Sequence, residues 1–264
     1  EERSLRRLRK RCLSWTYRWI YALSDRLIAV CEAVKADAVG RRGIRVPARK
    51  IIVIPNALLL DSAVASPEHL EEAKRLCAIT EASVVMTTVA NLIPLKGHRY
   101  LMEAMPTIVQ ACPQVRYVIV GDGPHRLALE QLARRLHLDG QVVFTGLVDE
   151  ARRNAILQLS RVVVLPSLSE GLPISLLEAM AFGKPVVASD AGGIREVVED
   201  RRTGILVPPK RPDALADALV PVLSNAQLAQ RMGQDGRQRF AEVFSFSAFS
   251  ARMQGLYRGL MDGR

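Results

Sequence analysis

The sequence predicts an α/β fold, a parallel sheet with helices on both faces. Three observations carry that prediction. Short runs rich in Val and Ile, at 83–90, 115–120, 141–145, 161–165, 185–189 and 204–207, alternate with helical segments near 97–111, 124–137, 150–159, 173–182 and 193–199. The runs are apolar at successive positions rather than at every second one, the pattern of strands buried on both faces. Five of the loops that leave these strands carry glycine or proline, which ends one element and starts the next.

Ahead of the alternation, residues 5–22 read as a helix and Leu27–Val30 as a short strand. A helix over Glu32–Arg42 stops at Gly43, and Lys50–Ile54 is a second strand closed by Pro55-Asn56. This block, residues 1–55, is too small to cover both faces of its strands. It reads as the tail of a domain, with 56–65 as a hinge. Ser66-Pro67-Glu68 combines an N-cap, a proline at the first helical position and an early acid, opening a helix to about Cys77. The main domain is expected over 66–245. Residues 211–262 read as three helices, the last of which, 246–264, is expected to pack back toward the first domain.

With 264 residues the chain has room for one large domain or two modest ones. No apolar run approaches the roughly 18–20 residues that span a bilayer. The basic stretch Arg3–Arg11 leads into a mixed aromatic and polar segment rather than an apolar one, so it is not read as a signal peptide, and a cytoplasmic setting is expected. Cys12, Cys31, Cys77 and Cys112 show no metal-ligand spacing and are expected to be free thiols. No metal site is expected. The net charge of +10 is uneven: residues 1–50 hold 14 Lys/Arg against 5 Asp/Glu. A nucleic-acid partner would want a basic face on the folded core, so none is expected. Basic residues beside Trp15, Tyr17, Trp19 and Tyr21 would suit an anionic membrane surface, placing the protein peripherally on the cytoplasmic face. The plainer reading, a solvated helix packed on a neighbour, is favoured because the apolar positions form no clean stripe.

In an open parallel sheet, ligands sit outside the carboxyl ends of the strands. The loops there are Asn91-Leu92-Ile93-Pro94-Leu95-Lys96-Gly97, Gly121-Asp122-Gly123-Pro124, Thr145-Gly146, Pro166 through Pro173, and Asp190-Ala191-Gly192-Gly193. The fourth is the most informative. Gly171 permits close backbone approach, Leu172-Pro173-Ile174 opens a helix, and the free amides of that helix suit a phosphate. Glu170 before it and Glu178 within it would repel an anion unless they accept hydrogen bonds from hydroxyls, which a sugar and a ribose supply. The plainer reading makes Glu178 a surface helix residue and Glu170 a helix-capping acid. Lys96 beside Gly97 could meet a diphosphate as a point charge. Neither glycine loop matches the dinucleotide or P-loop patterns. No role is assigned to His69, His98, His125 or His137.

Taken in order, Asn91…Lys96-Gly97, Val120–Pro124, Val143–Gly146, Leu165-Pro166-Ser167 with Glu170-Gly171, Glu178–Ala188 and Gly192–Glu196 resemble the C-terminal domain of the group-1, or family 4, glycosyltransferases of the two-Rossmann (GT-B) architecture. Glu170 and Glu178 are spaced as the E-x7-E signature of that family. The resemblance covers about residues 22–257 and implies a Rossmann-like domain of a retaining hexosyltransferase. Such an enzyme uses a UDP- or GDP-sugar without a bound metal or other cofactor. It implies that Glu170 contacts the donor sugar, Glu178 the ribose and Lys96 the diphosphate. Asn91, Gly97, Gly121, Gly123, Thr145, Gly146, Gly171, Leu172, Pro173 and Ile174 would line the donor site. The acceptor would be a glycan or lipid-linked hydroxyl.

Two departures stand out. Many members carry Arg where this chain has Asn91, which removes a cation from the diphosphate unless Arg99 reaches in. Ala57 replaces the usual glycine of the hinge and would be strained at positive φ. The resemblance further implies that residues 1–55 match only the end of the acceptor-binding domain, the rest coming from a longer chain or a partner, and that the part in hand turns over poorly alone. Two rival functions are a nucleotide-sugar epimerase on the same architecture and a non-catalytic nucleotide-sugar-binding or membrane-docking subunit.

Overall fold

A computed structural model describes residues 20–40, 46–59 and 65–262. The predicted helix at 5–22 therefore lies outside the described residues except for its end, and Trp15, Tyr17, Trp19, Cys12 and Gly43 lie outside altogether. Among the described residues there are two parallel sheets. In the first, β1 (Leu27–Ala29) pairs with β2 (Ile51–Val53), and α1 (Glu32–Gly40) connects them. Lys50 fixes the entry to this sheet. Its ammonium donates to the carbonyls of Tyr21, Ala22 and Ser24 at 2.9–3.1 Å, gathering the carbonyls where the preceding helical turn ends.

The large sheet holds β3 (Val84–Val89), β4 (Val115–Val120), β5 (Val142–Gly146), β6 (Val162–Leu165), β7 (Val186–Ser189) and β8 (Gly204–Val207) in the order β5-β4-β3-β6-β7-β8, every pair parallel. The order reverses direction beside β3, the place where open parallel sheets bind ligands between the loops above the strand ends. Helices α2 (Pro67–Leu76), α3 (His98–Ala111), α4 (Arg126–Arg135), α5 (Glu150–Leu159), α6 (Ile174–Ala181), α7 (Ile194–Val197), α8 (Pro212–Ser224) and α9 (Ala226–Arg239) surround the sheet. Ser66 caps α2 by accepting from the His69 amide, as its sequence predicts. A π-helical turn at Phe240–Phe244 then redirects the chain into α10 (Phe246–Asp262), none of whose residues is buried.

Apolar runs rather than alternation follow from this layering. Met86, Tyr117, Ile119, Val162, Val164 and Val187 face the core under α3, α4 and α8. Their neighbours Val163, Leu165, Val186 and Ala188 face the opposite core with α6 and α7, and Val85, Val118 and Val120 pack with α2 and α5. The polar residues in β3 are satisfied internally: Thr88 donates to the Val164 carbonyl at 2.8 Å and accepts from the Tyr117 hydroxyl at 3.0 Å, while Thr87 meets Ser160 at 2.6 Å. Such pairing removes the cost of burying hydroxyls without partners.

The expected strain at the hinge is absent, because Ala57 is not among the residues with positive φ. Leu58 instead extends the chain past the π-helical turn, its amide donating to the Phe244 carbonyl at 3.2 Å. Cys31, Cys77 and Cys112 are free and buried. Among the described residues no helix is long and apolar enough to cross a membrane.

Candidate functional site

The five loops form one continuous rim, each bonded to the next in sheet order. The Gly121 amide donates to the Gly146 carbonyl (2.9 Å), Leu92 to Asp122 (2.9 Å), Leu168 to Leu95 (2.8 Å) and Gly193 to Glu170 (3.1 Å). Glycine is required where loops meet. Gly97 has φ +68°, and a Cβ there would collide with the Pro166 carbonyl oxygen. A Cβ on Gly192 or Gly193 would strike the carbonyl of Glu170 or Gly171, and one on Gly121 or Gly123 the carbonyl of Ala90 or Leu92. The loops are therefore closed against each other, and a side-chain movement in one is felt by its neighbour.

Lys96 and Glu170, 74 residues apart in sequence, meet in this rim. The Lys96 ammonium lies 2.6 Å from Glu170 Oε1, and the Ser167 hydroxyl donates to the same oxygen at 2.7 Å. Both contacts fall on Oε1. Glu170 is thus not a helix-capping acid. Gly97, on the other side of Lys96, is held in the left-handed conformation that turns the chain into α3.

Glu178 occupies the fifth position of α6, and the surface-residue reading is overturned because it is buried. Burial pushes its carboxyl above the usual range and Glu150 adds to this, while Arg153 opposes both. Arg153, from α5, lies 3.3 Å from Glu178 Oε1 and 3.5 Å from Glu150. Pro173 stands one residue before α6 rather than at its first position, in an extended conformation, and offers no side-chain cap. Its ring cannot accept from the first amides of the helix, and among the described residues no side chain caps them. Leu172 is buried beneath them and Ile174 is partly exposed.

Other expected residues divide. Asn91 is exposed at the mouth of the crevice. Arg99 does not replace the cation absent there, because it lies on the outer side of α3 and pairs with Glu103 at 2.7 Å, one turn along the same helix. Thr145 turns its hydroxyl inward to the carbonyls of Ile119 (3.3 Å) and Gly146 (2.9 Å), leaving only backbone and its oxygen for a ligand. Asp122 is matched by Arg126 at 3.2 Å, and Asp190 is held by both arms of Arg195 at 2.8 and 2.6 Å. Each acid of the rim therefore has its own cation. Arg153 and Ser167 were not singled out from sequence. Ser167 was visible within the Pro166-Ser167 motif, whereas Arg153 sits in an Arg-Arg pair on a helix with no local signal. Among the described residues no cluster of His, Cys, Asp and Glu is arranged to hold a metal ion.

The open parallel sheet, with small-residue loops, a lysine and two spaced carboxylates at its switch point, is a Rossmann-like α/β domain. Residues 71–239 match the family described as glycosyl transferases group 1, and residues 2–61 match glycosyltransferase family 4. The chain belongs to the group 1 glycosyl transferases, with the GT-B fold. It is similar to the alpha-D-kanosaminyltransferase of Streptomyces kanamyceticus, 34% identical over 174 residues that cover 66% of this chain and 45% of that protein. A GDP-mannose-dependent alpha-(1-6)-phosphatidylinositol monomannoside mannosyltransferase of Mycobacterium tuberculosis is 30% identical over 220 residues, covering 81% and 57%. Among solved structures, sucrose-phosphate synthase from Thermosynechococcus elongatus superposes with a TM-score of 0.79 at 27% identity, covering 95% of this chain and 62% of that one. The chain spans about half the length of the curated relatives it matches.

Proposed function

We propose that the protein of which this chain is the donor-binding part transfers a hexose from a UDP- or GDP-sugar to a hydroxyl of a glycan or lipid-linked acceptor, with retention at the anomeric carbon. The supporting observation is the Lys96–Glu170 pair at the sheet's switch point, with Glu178 buried at the fifth position of the helix that follows. A pre-paired lysine and carboxylate can part company when a donor arrives. Lys96 then stabilises the charge growing on the departing diphosphate, and Glu170 accepts from sugar hydroxyls. The uncapped amides at the start of α6 add positive potential for the same phosphates. Binding is proposed to need no metal. The relatives support the substrate class through their names: one is a kanosaminyltransferase and another depends on GDP-mannose.

A thermal-shift titration tests this. UDP or GDP should raise the melting temperature in the presence of EDTA, since a ligand at about 100 times its Kd stabilises by about 2.7 kcal/mol. Lys96→Ala should weaken the diphosphates much more than the parent nucleosides, and the difference should shrink as salt rises. No shift with either diphosphate, with or without magnesium, would refute a donor site.

A further inference from the structure

Arg153 carries a feature that the donor reading leaves unexplained. It projects from α5 onto Glu178 of α6, with Nη2 3.3 Å from the carboxylate, and its Nε is buried without a hydrogen-bond partner among the described residues. Nη2 also lies 3.5 Å from Glu150 and from the Asn154 side-chain oxygen. Among the described residues Glu178 has no other cation against it. A buried carboxylate with one cation beside it is held as an anion in one orientation, whereas without that cation burial favours the neutral acid. A neutral acid offers one acceptor oxygen and a hydroxyl. An anion offers two acceptor oxygens, which is what a vicinal diol requires.

We propose that Arg153 is a positioning residue that holds Glu178 as an oriented carboxylate for the ribose 2′- and 3′-hydroxyls of the donor. This rests on the donor reading above and adds the residue that prepares its ribose contact. Arg153 acts through Glu178 and does not touch the phosphates.

The test compares UDP and GDP with their 2′,3′-dideoxy analogues, titrated calorimetrically against the full chain. Wild type should bind the better ribonucleotide about tenfold or more tightly than its dideoxy form, as expected for hydrogen bonds to a charged group. Arg153→Leu should remove most of that preference while changing affinity for the dideoxy form less than twofold. Arg153→Lys, which keeps a cation, should restore part of it and guards against a loss caused by misfolding. In a Glu178→Gln background Arg153→Leu should add no further loss, because the two act as one unit. Equal weakening of ribo and dideoxy forms by Arg153→Leu would overturn the proposal and point to a phosphate contact or a general packing role. Unchanged binding would overturn it too. A wild-type protein that binds neither diphosphate refutes the donor reading itself, and one that binds ribo and dideoxy forms equally refutes the ribose contact of Glu178.

Discussion

His98 opens the first turn of α3 directly after Lys96-Gly97, is 1% exposed, and has neither ring nitrogen hydrogen-bonded among the described residues. Burial holds its pKa down to about 4. Nearby Lys96 and His125 lower it further, and proximity to the Asn91 backbone offsets only part. In the unfolded chain the imidazole titrates near 6.5. The folded state therefore binds fewer protons between those values, so stability is full above pH 6.5 and is lost as pH falls toward 4. The shift corresponds to about 3 kcal/mol. Urea unfolding of wild type and His98→Leu at pH 7.5 and pH 4 should show wild type losing about 3 kcal/mol more than the variant. Parallel losses would show that His98 is not kept neutral by the fold. At the same scale, Glu178 and Arg153 show where residue reading stops. The spacing of Glu170 and Glu178 is written in one segment and could be seen. The partner of Glu178 lies 25 residues earlier on another helix, and only the packing of α5 on the sheet brings the two together.

Strands and helices were legible because each is encoded locally. Short Val-rich runs bounded by turn residues mark β6 and β7 as strands buried on both faces, and Ser66-Pro67-Glu68 marks the start of α2 through capping. The connections were less so. The 3-10 turn at Pro94–Lys96 and the π-helical turn at Phe240–Phe244 depend on what the chain meets next, and the interlocking of the five loops involves backbone, which leaves no side-chain pattern to read. That interlocking makes a prediction about glycines. Gly97 is in the left-handed region with the Pro166 carbonyl against it, whereas Gly140 has negative-side φ and open space around its Cα. Gly97→Ala should cost about 1–3 kcal/mol, through backbone strain and a forced movement of the Pro166 loop, and should weaken UDP or GDP binding with it. Gly140→Ala should be neutral or stabilise by up to about 1 kcal/mol by restricting the unfolded chain. Melting curves and nucleotide titrations of both variants check this, and equal melting temperatures would count against a rim closed by backbone contact.

At the scale of the whole molecule, the small first sheet has to be fastened to the large one. Its own core of Ala29, Val46 and Ile51 is too small to stand alone, and Ile28 remains half exposed. The boundary at Pro55-Asn56 was visible in the sequence, but the fastening was not, because its partners lie more than 130 residues apart. Glu196 of α7 caps α1 from outside, its carboxylate accepting from the Glu32 amide at 2.8 Å and the Ala33 amide at 2.9 Å. Cys31 donates to the Gly171 carbonyl at 3.5 Å, and Val30 and Val34 pack against the cluster containing Leu172 and Ile194. A helix cap is worth about 1 kcal/mol and bonds to a charged group somewhat more, so Glu196→Ala should ease detachment of the small sheet by about 1–2 kcal/mol. Hydrogen exchange should then speed up about tenfold at residues 27–40 and 46–54, while the amides of β3, β4 and β6 keep their wild-type rates, because local openings draw only on local contacts. Glu196→Gln, which retains one acceptor oxygen, should fall between. If exchange accelerated equally across both sheets, the two would be opening as a single unit and Glu196 would be no more than one contact among many in a common core.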